Sequence, residues 1–267
     1  MLVYMKTGKV EIYINETLET KGAMLFSLID PVDYDTPEKA IKTAKATADG
    51  GADIVLLGGS IGAQGELLDN VARMIKEQID VPLVLFPGNI ATITRHADAI
   101  YFQSLLNSRN AYYHAQAQML AAPLIRASKI EPLPVGYILV SPGGTAGWVG
   151  DANLVPREKP KIAAALALTG QYLGLRFILT DTGSNPKMQN STHIPLEMVR
   201  AVKSAIDVPY IVGGGVTTPK ELGNVIAAGA DAVQVGTSFE GSAEDALKKT
   251  RAMAEVVKAE GAKRLKR

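Results

Sequence analysis

The sequence predicts an α/β protein built as a closed, parallel, eight-stranded (β/α)8 TIM barrel. Three observations carry this expectation. Eight apolar runs of strand length follow one another, mostly separated by helix-length amphipathic segments. Two glycine-rich turns, Gly213-Gly214-Gly215 and Gly236-Thr237-Ser238, each follow an apolar run directly, as phosphate-binding turns do after the last two strands of such barrels. Short elements also recur. Ile79-Asp80-Val81-Pro82 and Ile206-Asp207-Val208-Pro209 each enter a strand, and Ala-Asp pairs precede strands two, four and eight at Ala52-Asp53, Ala97-Asp98 and Ala230-Asp231. The repeats bracket units 3–4 and 7–8, four strands apart, as a half-barrel repeat would.

Taken in order, residues 1–22 form an N-terminal extension with a short helix at 9–21, the barrel core spans 23–240, and residues 241–267 carry a closing helix. All belong to a single domain. Strand one is Ala23–Ile29, followed by a helix from Thr36-Pro37 to Ala48 that Gly50-Gly51 stops. Strand two is Asp53–Leu57, helix 66–78 follows, and strand three is Leu83–Phe86. The gap Pro87–Asp98 is too short for a full helix, so an irregular crossover is expected between strands 3 and 4. Strand four is Ala99–Phe102, with a helix over Asn110–Ala122. Strand five is Val135–Val140, before a glycine-rich loop at 141–153. Helix 158–173 leads to strand six, Arg176–Thr180, and the loop 181–190. Helix 195–205 precedes strand seven at Tyr210–Val212. Thr218 then caps a helix with Pro219 at its first position, Gly229 ends it, and strand eight is Ala232–Val235.

Composition narrows the function. A chain of 267 residues with 47% hydrophobic and 21% charged residues is of ordinary globular type and long enough for one large barrel. A net charge of +1 gives no reason to expect a nucleic-acid partner, and the absence of cysteine excludes disulfides, thiolate catalysis and Cys-ligated metals. His96, His114 and His193 are too scattered for a zinc site. No apolar run reaches membrane-spanning length and the start lacks a signal-peptide core, so a cytoplasmic protein is expected.

Chemistry in a barrel belongs at the carboxyl ends of the strands. Glycines there let an anion approach backbone N–H groups, which favours Gly213, Gly214, Gly215, Gly236 and Thr237 as a phosphate site over simple turns. Asp30 ends strand one and Ser60 follows strand two. Together they suit Mg2+, a hard ion that takes one or two protein oxygens alongside water and phosphate oxygens. Asp30 could equally cap the loop ahead of Pro31. Asp181 ends strand six within reach of a phosphate ester held by the glycine turns, where it could accept a proton from a substrate hydroxyl, or else order its own loop through an Asx turn. Trp148 could cover a ligand or pack locally. Tyr112, Tyr113 and His114 read as packing or surface residues. The small apolar residues of 111–122 and 162–168 read as core or as the walls of a groove.

These residues also form familiar motifs. LIDP at 28–31, LLGGS at 56–60, YFQSLLNS at 101–108, YILVSPGGTAGWVGDAN at 137–153, VGGGV at 212–216 and VGTS at 235–238 together resemble the geranylgeranylglyceryl phosphate synthase family, over about residues 23–240. The chain length and the LIDP form are similar to the archaeal branch. The resemblance implies a prenyltransferase that joins the C3 hydroxyl of sn-glycerol 1-phosphate to C1 of geranylgeranyl diphosphate and releases diphosphate. It implies Mg2+ at Asp30 and Ser60. The glycerol phosphate would be held by Leu179, Thr180, Asp181, Thr182, Gly183, Ser184 and Asn185, together with Gly213 to Gly215, Gly236 and Thr237. It also implies a homo-oligomer and peripheral membrane contact. The sequence departs from the family at strand six, where the usual Tyr-Leu-Glu-Ala-Gly-Ser-Gly is Leu179-Thr180-Asp181-Thr182-Gly183-Ser184-Asn185. A tyrosine hydroxyl is lost and the base becomes Asp181, one methylene shorter. A lysine usual after the first aspartate is replaced by Val32-Asp33. Two rival readings remain: another phosphate-binding barrel enzyme, or a non-catalytic binder of a phosphorylated metabolite or prenyl lipid.

Overall fold

The eight apolar runs pair in sequence order into a closed, wholly parallel barrel: β1 Met24–Ile29, β2 Ile54–Leu57, β3 Leu83–Leu85, β4 Ala99–Leu105, β5 Glu131–Leu139, β6 Phe177–Asp181, β7 Tyr210–Gly213 and β8 Ala232–Val235. The structure, a computed structural model, describes residues 7–184 and 192–266. Around the barrel lie α1 Lys9–Lys21, α2 Pro37–Asp49, α3 Gly65–Lys76, α4 Gln116–Ser128, α5 Gly144–Val149, α6 Pro160–Tyr172, α7 Leu196–Lys203, α8 Pro219–Ala228 and α9 Ala243–Arg264. No helix occupies 86–98, so the crossover from β3 to β4 is irregular as expected.

Strand alternation divides the core in two. One parity packs inside the barrel, with Phe26, Ile54, Tyr101, Tyr137, Leu179 and Ile211 in one buried cluster. Val10 and Ile14 of α1 join this cluster and close the bottom of the barrel. The other parity faces the helices, as with Ile178, Val212 and Val233. Glu131, at the start of β5, fixes the plug. Its carboxylate accepts the Val10 and Glu11 N–H groups at 2.8 and 3.0 Å, satisfying two donors at the N-terminus of α1. Gly8 makes room for this contact, since a Cβ there would lie 2.0 Å from Glu131 Cδ.

The Ala-Asp repeat has a physical basis at the bottom face. Asp53 accepts the Leu25 N–H at 2.9 Å and pairs with Lys21 at 2.6 Å. Asp98 accepts the Leu83 N–H at 2.8 Å and pairs with Lys76 at 2.7 Å. Asp231 accepts the Tyr210 N–H at 2.8 Å and pairs with Lys203 at 2.7 Å. Each aspartate precedes an even-numbered strand, ties down the odd-numbered strand before it, and binds a lysine from the helix leading into that odd strand. The clamp is thus one device used three times.

Helix α5 stands within the expected loop 141–153 and β4 runs past Phe102 to Leu105, and two further stretches differ from expectation. The helix expected over Asn110–Ala122 is displaced: Asn110 Oδ1 accepts the Tyr112 N–H, a 3-10 turn covers Ala111–Tyr113, and Ala115 is non-helical, so α4 starts at Gln116 and runs through Pro123 to Ser128. β5 begins four residues before Val135, despite Pro132 and Pro134. Those first residues pair only with β4, because β6 joins at Val135, so the prolines sit on an edge where a missing N–H is tolerated.

Replacing Asp231 by Ala leaves the Tyr210 N–H and two cations, Lys203 and Arg264, without this carboxylate. The expected loss is about 2–4 kcal/mol of stability, read from the shift in a urea unfolding midpoint.

Candidate active site

The mouth of the barrel holds two cavities, the smaller of them the more polar. The larger, about 140 Å3, is mostly apolar and runs from Leu28 and Phe86 past Phe102, Tyr113 and Ala121 to Ile125. The smaller, about 50 Å3, is lined by Gly214, Gly215, Gly236, Thr237 and Ser238. Leu28, Asp30, Asp181, Gly183 and Ser184 line both, so the cavities meet between the ends of β1 and β6.

Asp181 ends β6 on the inward parity and is 6% exposed. Its Oδ1 accepts the Gly183 N–H at 2.7 Å, and Tyr137 donates its hydroxyl to Oδ2 at 3.4 Å. The Asx turn and the cavity-facing role therefore coexist. Burial raises the Asp181 pKa above its ordinary value, opposed by the hydrogen bonds from Gly183, Tyr137 and the Thr182 backbone. Gly214 has φ +79°, in the left-handed region, and a Cβ there would lie 2.5 Å from both Asp181 Oδ1 and Thr182 Oγ1. Thr217 and Thr218 follow, fixed by Glu221, which accepts the Thr217 N–H at 2.8 Å and completes a capping box on α8 with Thr218. The glycine turn is thus held rigidly from its far end.

Asp30 follows β1 and leads into a 3-10 turn at Pro31–Asp33. Its side chain makes no cap hydrogen bond, which disfavours the loop-capping reading. Oδ1 is buried with no partner, against Gly58, whose absent Cβ would lie 3.0 Å away. Burial, reinforced by the charges of Asp33, Glu240 and Asp181, pushes the Asp30 carboxyl from 3.8 to about 7. Ser60 is half-buried and lines the larger cavity with Asp30.

The remaining predicted residues are less uniform. Gly183 and Ser184 line both cavities. Thr182 is buried with its hydroxyl unpartnered. Leu179 lies one inward step below Asp181 in the barrel interior, while Thr180 turns outward and shares a 2.7 Å hydrogen bond with Tyr210. Neither lines a cavity. Gly213 closes β7 beneath the turn, and Asn185 lies outside the described residues. Trp148 projects into solvent from α5, 86% exposed. Tyr112, Tyr113, Ala117 and Ala121 do line the larger cavity, whereas residues 162–168 lie in α6 and line neither.

The two longest motifs are stapled to each other. Asn107 donates to the Leu139 and Asn153 carbonyls at 2.8 and 3.0 Å and accepts the Leu139 N–H at 3.0 Å. Ser108 donates to the Gly150 carbonyl at 2.6 Å, and Arg109 pairs with Asp151. These bonds set α5 as a wall of the apolar cavity. Sequence reasoning missed Tyr137, Phe86 and Gln234. The signal for Gln234 is its parity: it is a polar residue at an inward position of an otherwise apolar strand.

Fold and mouth define a closed (β/α)8 barrel with glycine turns following strands seven and eight. The sequence profile of the PcrB family matches residues 16–256. The chain is 48% identical over 256 residues to a geranylgeranylglyceryl phosphate synthase of Thermococcus sibiricus, covering 95% of this chain and 98% of that protein. It is 49% identical over 236 residues to that of Pyrococcus abyssi, covering 88% and 92%. The crystal structure of (S)-3-O-geranylgeranylglyceryl phosphate synthase from Thermoplasma acidophilum, in complex with its substrate sn-glycerol-1-phosphate, superposes with a TM-score of 0.87 at 34% identity over 95% of this chain and all of that one. Tryptophan synthase from M. tuberculosis, at 14% identity and a TM-score of 0.61 over 94% of this chain and 99% of that one, shares the fold alone. The chain belongs to the PcrB family.

Replacing Asp30 by Asn, in buffer without divalent cations, removes a charge that the fold buries at a cost. Because the folded pKa lies above the unfolded one, that cost grows as pH rises from 3.8 to about 7. The melting temperature of Asp30→Asn is expected to exceed that of the wild type at about pH 8 and to differ little from it at about pH 4, by calorimetry.

Proposed function

We infer that the protein is a prenyltransferase that makes the ether bond of geranylgeranylglyceryl phosphate from sn-glycerol 1-phosphate and geranylgeranyl diphosphate. The observation that carries this reading is the junction of a small glycine-walled cavity with a larger apolar one at two carboxylates. A phosphate ester fits the first, an isoprenoid tail the second, and the reacting atoms meet at the junction. The family and its relatives supply the identity of the two substrates.

In the reaction, the C3 hydroxyl oxygen attacks C1 of the allylic diphosphate. The bond from C1 to the diphosphate oxygen breaks, and the hydroxyl proton passes to Asp181. Burial raises the proton affinity of Asp181, bringing it closer to that of a useful base. Tyr137 and the Gly183 N–H hold its carboxylate in place. The apolar walls exclude water, which limits hydrolysis of the reactive allyl group.

We propose Mg2+ as the cation at Asp30 and Ser60. Asp30 offers a buried, unpartnered oxygen in a mouth that also carries Asp33 and Glu240. Among the described residues no three His, Asp or Glu side chains converge on a metal site, so such an ion would draw its other ligands from water and diphosphate, as Mg2+ does. When bound, it neutralises charge developing on the leaving diphosphate. We also propose self-association, supported by the exposed apolar side chains Met119, Leu120, Leu124, Tyr172 and Leu173, with light scattering as its test. Brief contact with a lipid surface would suit the product. No helix among the described residues is long and apolar enough to cross a membrane.

Labelled geranylgeranyl diphosphate and sn-glycerol 1-phosphate, given to the purified protein with Mg2+, should yield an ether lipid, and EDTA should suppress it. No product with donors of any chain length would end this reading. Asp181→Asn should lower kcat about 100-fold or more. The acid limb of the wild-type kcat/KM profile should lie above the ordinary carboxylate range, because activity is lost as pH falls through the raised pKa of Asp181.

A further inference from the structure

Gln234 is the one polar side chain of β8 on the inward parity, and the proposed function assigns it no role. It is 2% exposed, it lines the small cavity, and its Oε1 is buried without a partner. The register of the sheet places it with care. Asp181 stands opposite Gly213, and Gly213 stands opposite Gln234, so carboxylate and amide occupy one row across β7. Gly213 carries no side chain to separate them. A Cβ there would lie 3.0 Å from Asp181 Oδ2 and 3.5 Å from Gln234 Nε2. Asp181 and Gln234 therefore close in over Gly213 from either side, with an acceptor pair at one end and an amide at the other.

A buried amide with an unpaired oxygen destabilises a fold, and an apolar residue of similar volume would serve packing better. A ligand that completes its hydrogen bonds offsets this cost. Glycerol phosphate has three polar parts. In the reading above, on which this inference rests, the phosphate lies against the glycine turns and the C3 hydroxyl against Asp181. The C2 hydroxyl lies on the carbon between them. An amide both donates and accepts, which is what a secondary hydroxyl requires of a partner.

We propose that Gln234 is a further substrate-binding residue that hydrogen-bonds the C2 hydroxyl of glycerol phosphate and turns its C3 hydroxyl towards Asp181. Calorimetric titration of the full chain with sn-glycerol 1-phosphate, with 3-hydroxypropyl phosphate, which lacks the C2 hydroxyl, and with inorganic phosphate tests this directly. The wild type should bind 3-hydroxypropyl phosphate about tenfold more weakly than glycerol phosphate. Gln234→Met should bind both about equally, at the weaker level, with inorganic phosphate unchanged. Equal binding of the two esters by the wild type overturns the proposal without any variant. So does a preference for glycerol phosphate that survives in Gln234→Met, or in Gln234→Leu should the Met variant fail to fold. In turnover the variant should raise KM for glycerol phosphate and leave KM for the prenyl diphosphate unchanged. A fall in kcat alone would make Gln234 a support for Asp181 and would also overturn it. Failure of the wild type to bind glycerol phosphate while it still binds inorganic phosphate would overturn the prenyltransferase reading, and this proposal with it.

Discussion

A carboxylate buried without a cation beside it is costly, and the mouth of this barrel is arranged around that cost at Asp181. Its partners include the backbone N–H groups of Gly183 and Thr182 and the phenol of Tyr137. These hold the group without neutralising it. Gly213 and Gly214 are needed for the same reason: a Cβ on either would press on a carboxylate oxygen. Phe86 packs edge-on against Tyr101 and Tyr137, with ring centroids 5.4 and 5.6 Å apart, and so fixes the phenol that reaches Asp181. One buried acid thus explains the glycine turn above it and the aromatic layer below it.

The two ends of the barrel divide the work. At the bottom, Asp53, Asp98 and Asp231 are each satisfied by a strand N–H and a lysine. At the mouth, Asp30 Oδ1, Thr182 Oγ1 and Gln234 Oε1 are buried and unpaired. All three of these belong to the strand ends or loops around the small cavity. Polar groups left unsatisfied there weaken the fold locally, whereas the clamps at the opposite end strengthen it.

Much of this was legible because barrel strands obey a short-range rule. Apolar runs, glycine punctuation and the Ala-Asp repeat depend on local sequence, and they located every strand. The repeat even marked the bottom clamp, though not what it clamps. What escaped was set partly by a local cap and partly by strand pairing and parity, which depend on residues distant in sequence. α4 starts late because Asn110 and the segment before it are held in a 3-10 turn, and β5 starts early because its prolines face an open edge. Gln234 was hidden inside an apolar run, visible only once parity is counted from the barrel axis. Parity likewise separates Thr180, turned to the helices, from Asp181, turned to the mouth, although the two are adjacent in the sequence.

The departures at strand six become intelligible in the same terms. An aspartate in place of glutamate shortens the reach by one methylene, and the Gly183 N–H draws the Asp181 carboxylate further back towards its own loop. In the proposed reaction the substrate must therefore come to Asp181. Gly214 in its left-handed turn and Gly213 without a side chain leave the Asp181 carboxylate room at the mouth. Leu179 in place of tyrosine removes a hydroxyl from the β6 side, and it lies below Asp181 in the buried cluster of the barrel interior. Gln234 supplies an amide from the β8 side of the same row. In the proposed reaction the carboxylate of β6, the amide of β8 and the glycine turn between them must therefore be placed together, since a shift of about 1 Å between base and hydroxyl is enough to cost a large part of the rate.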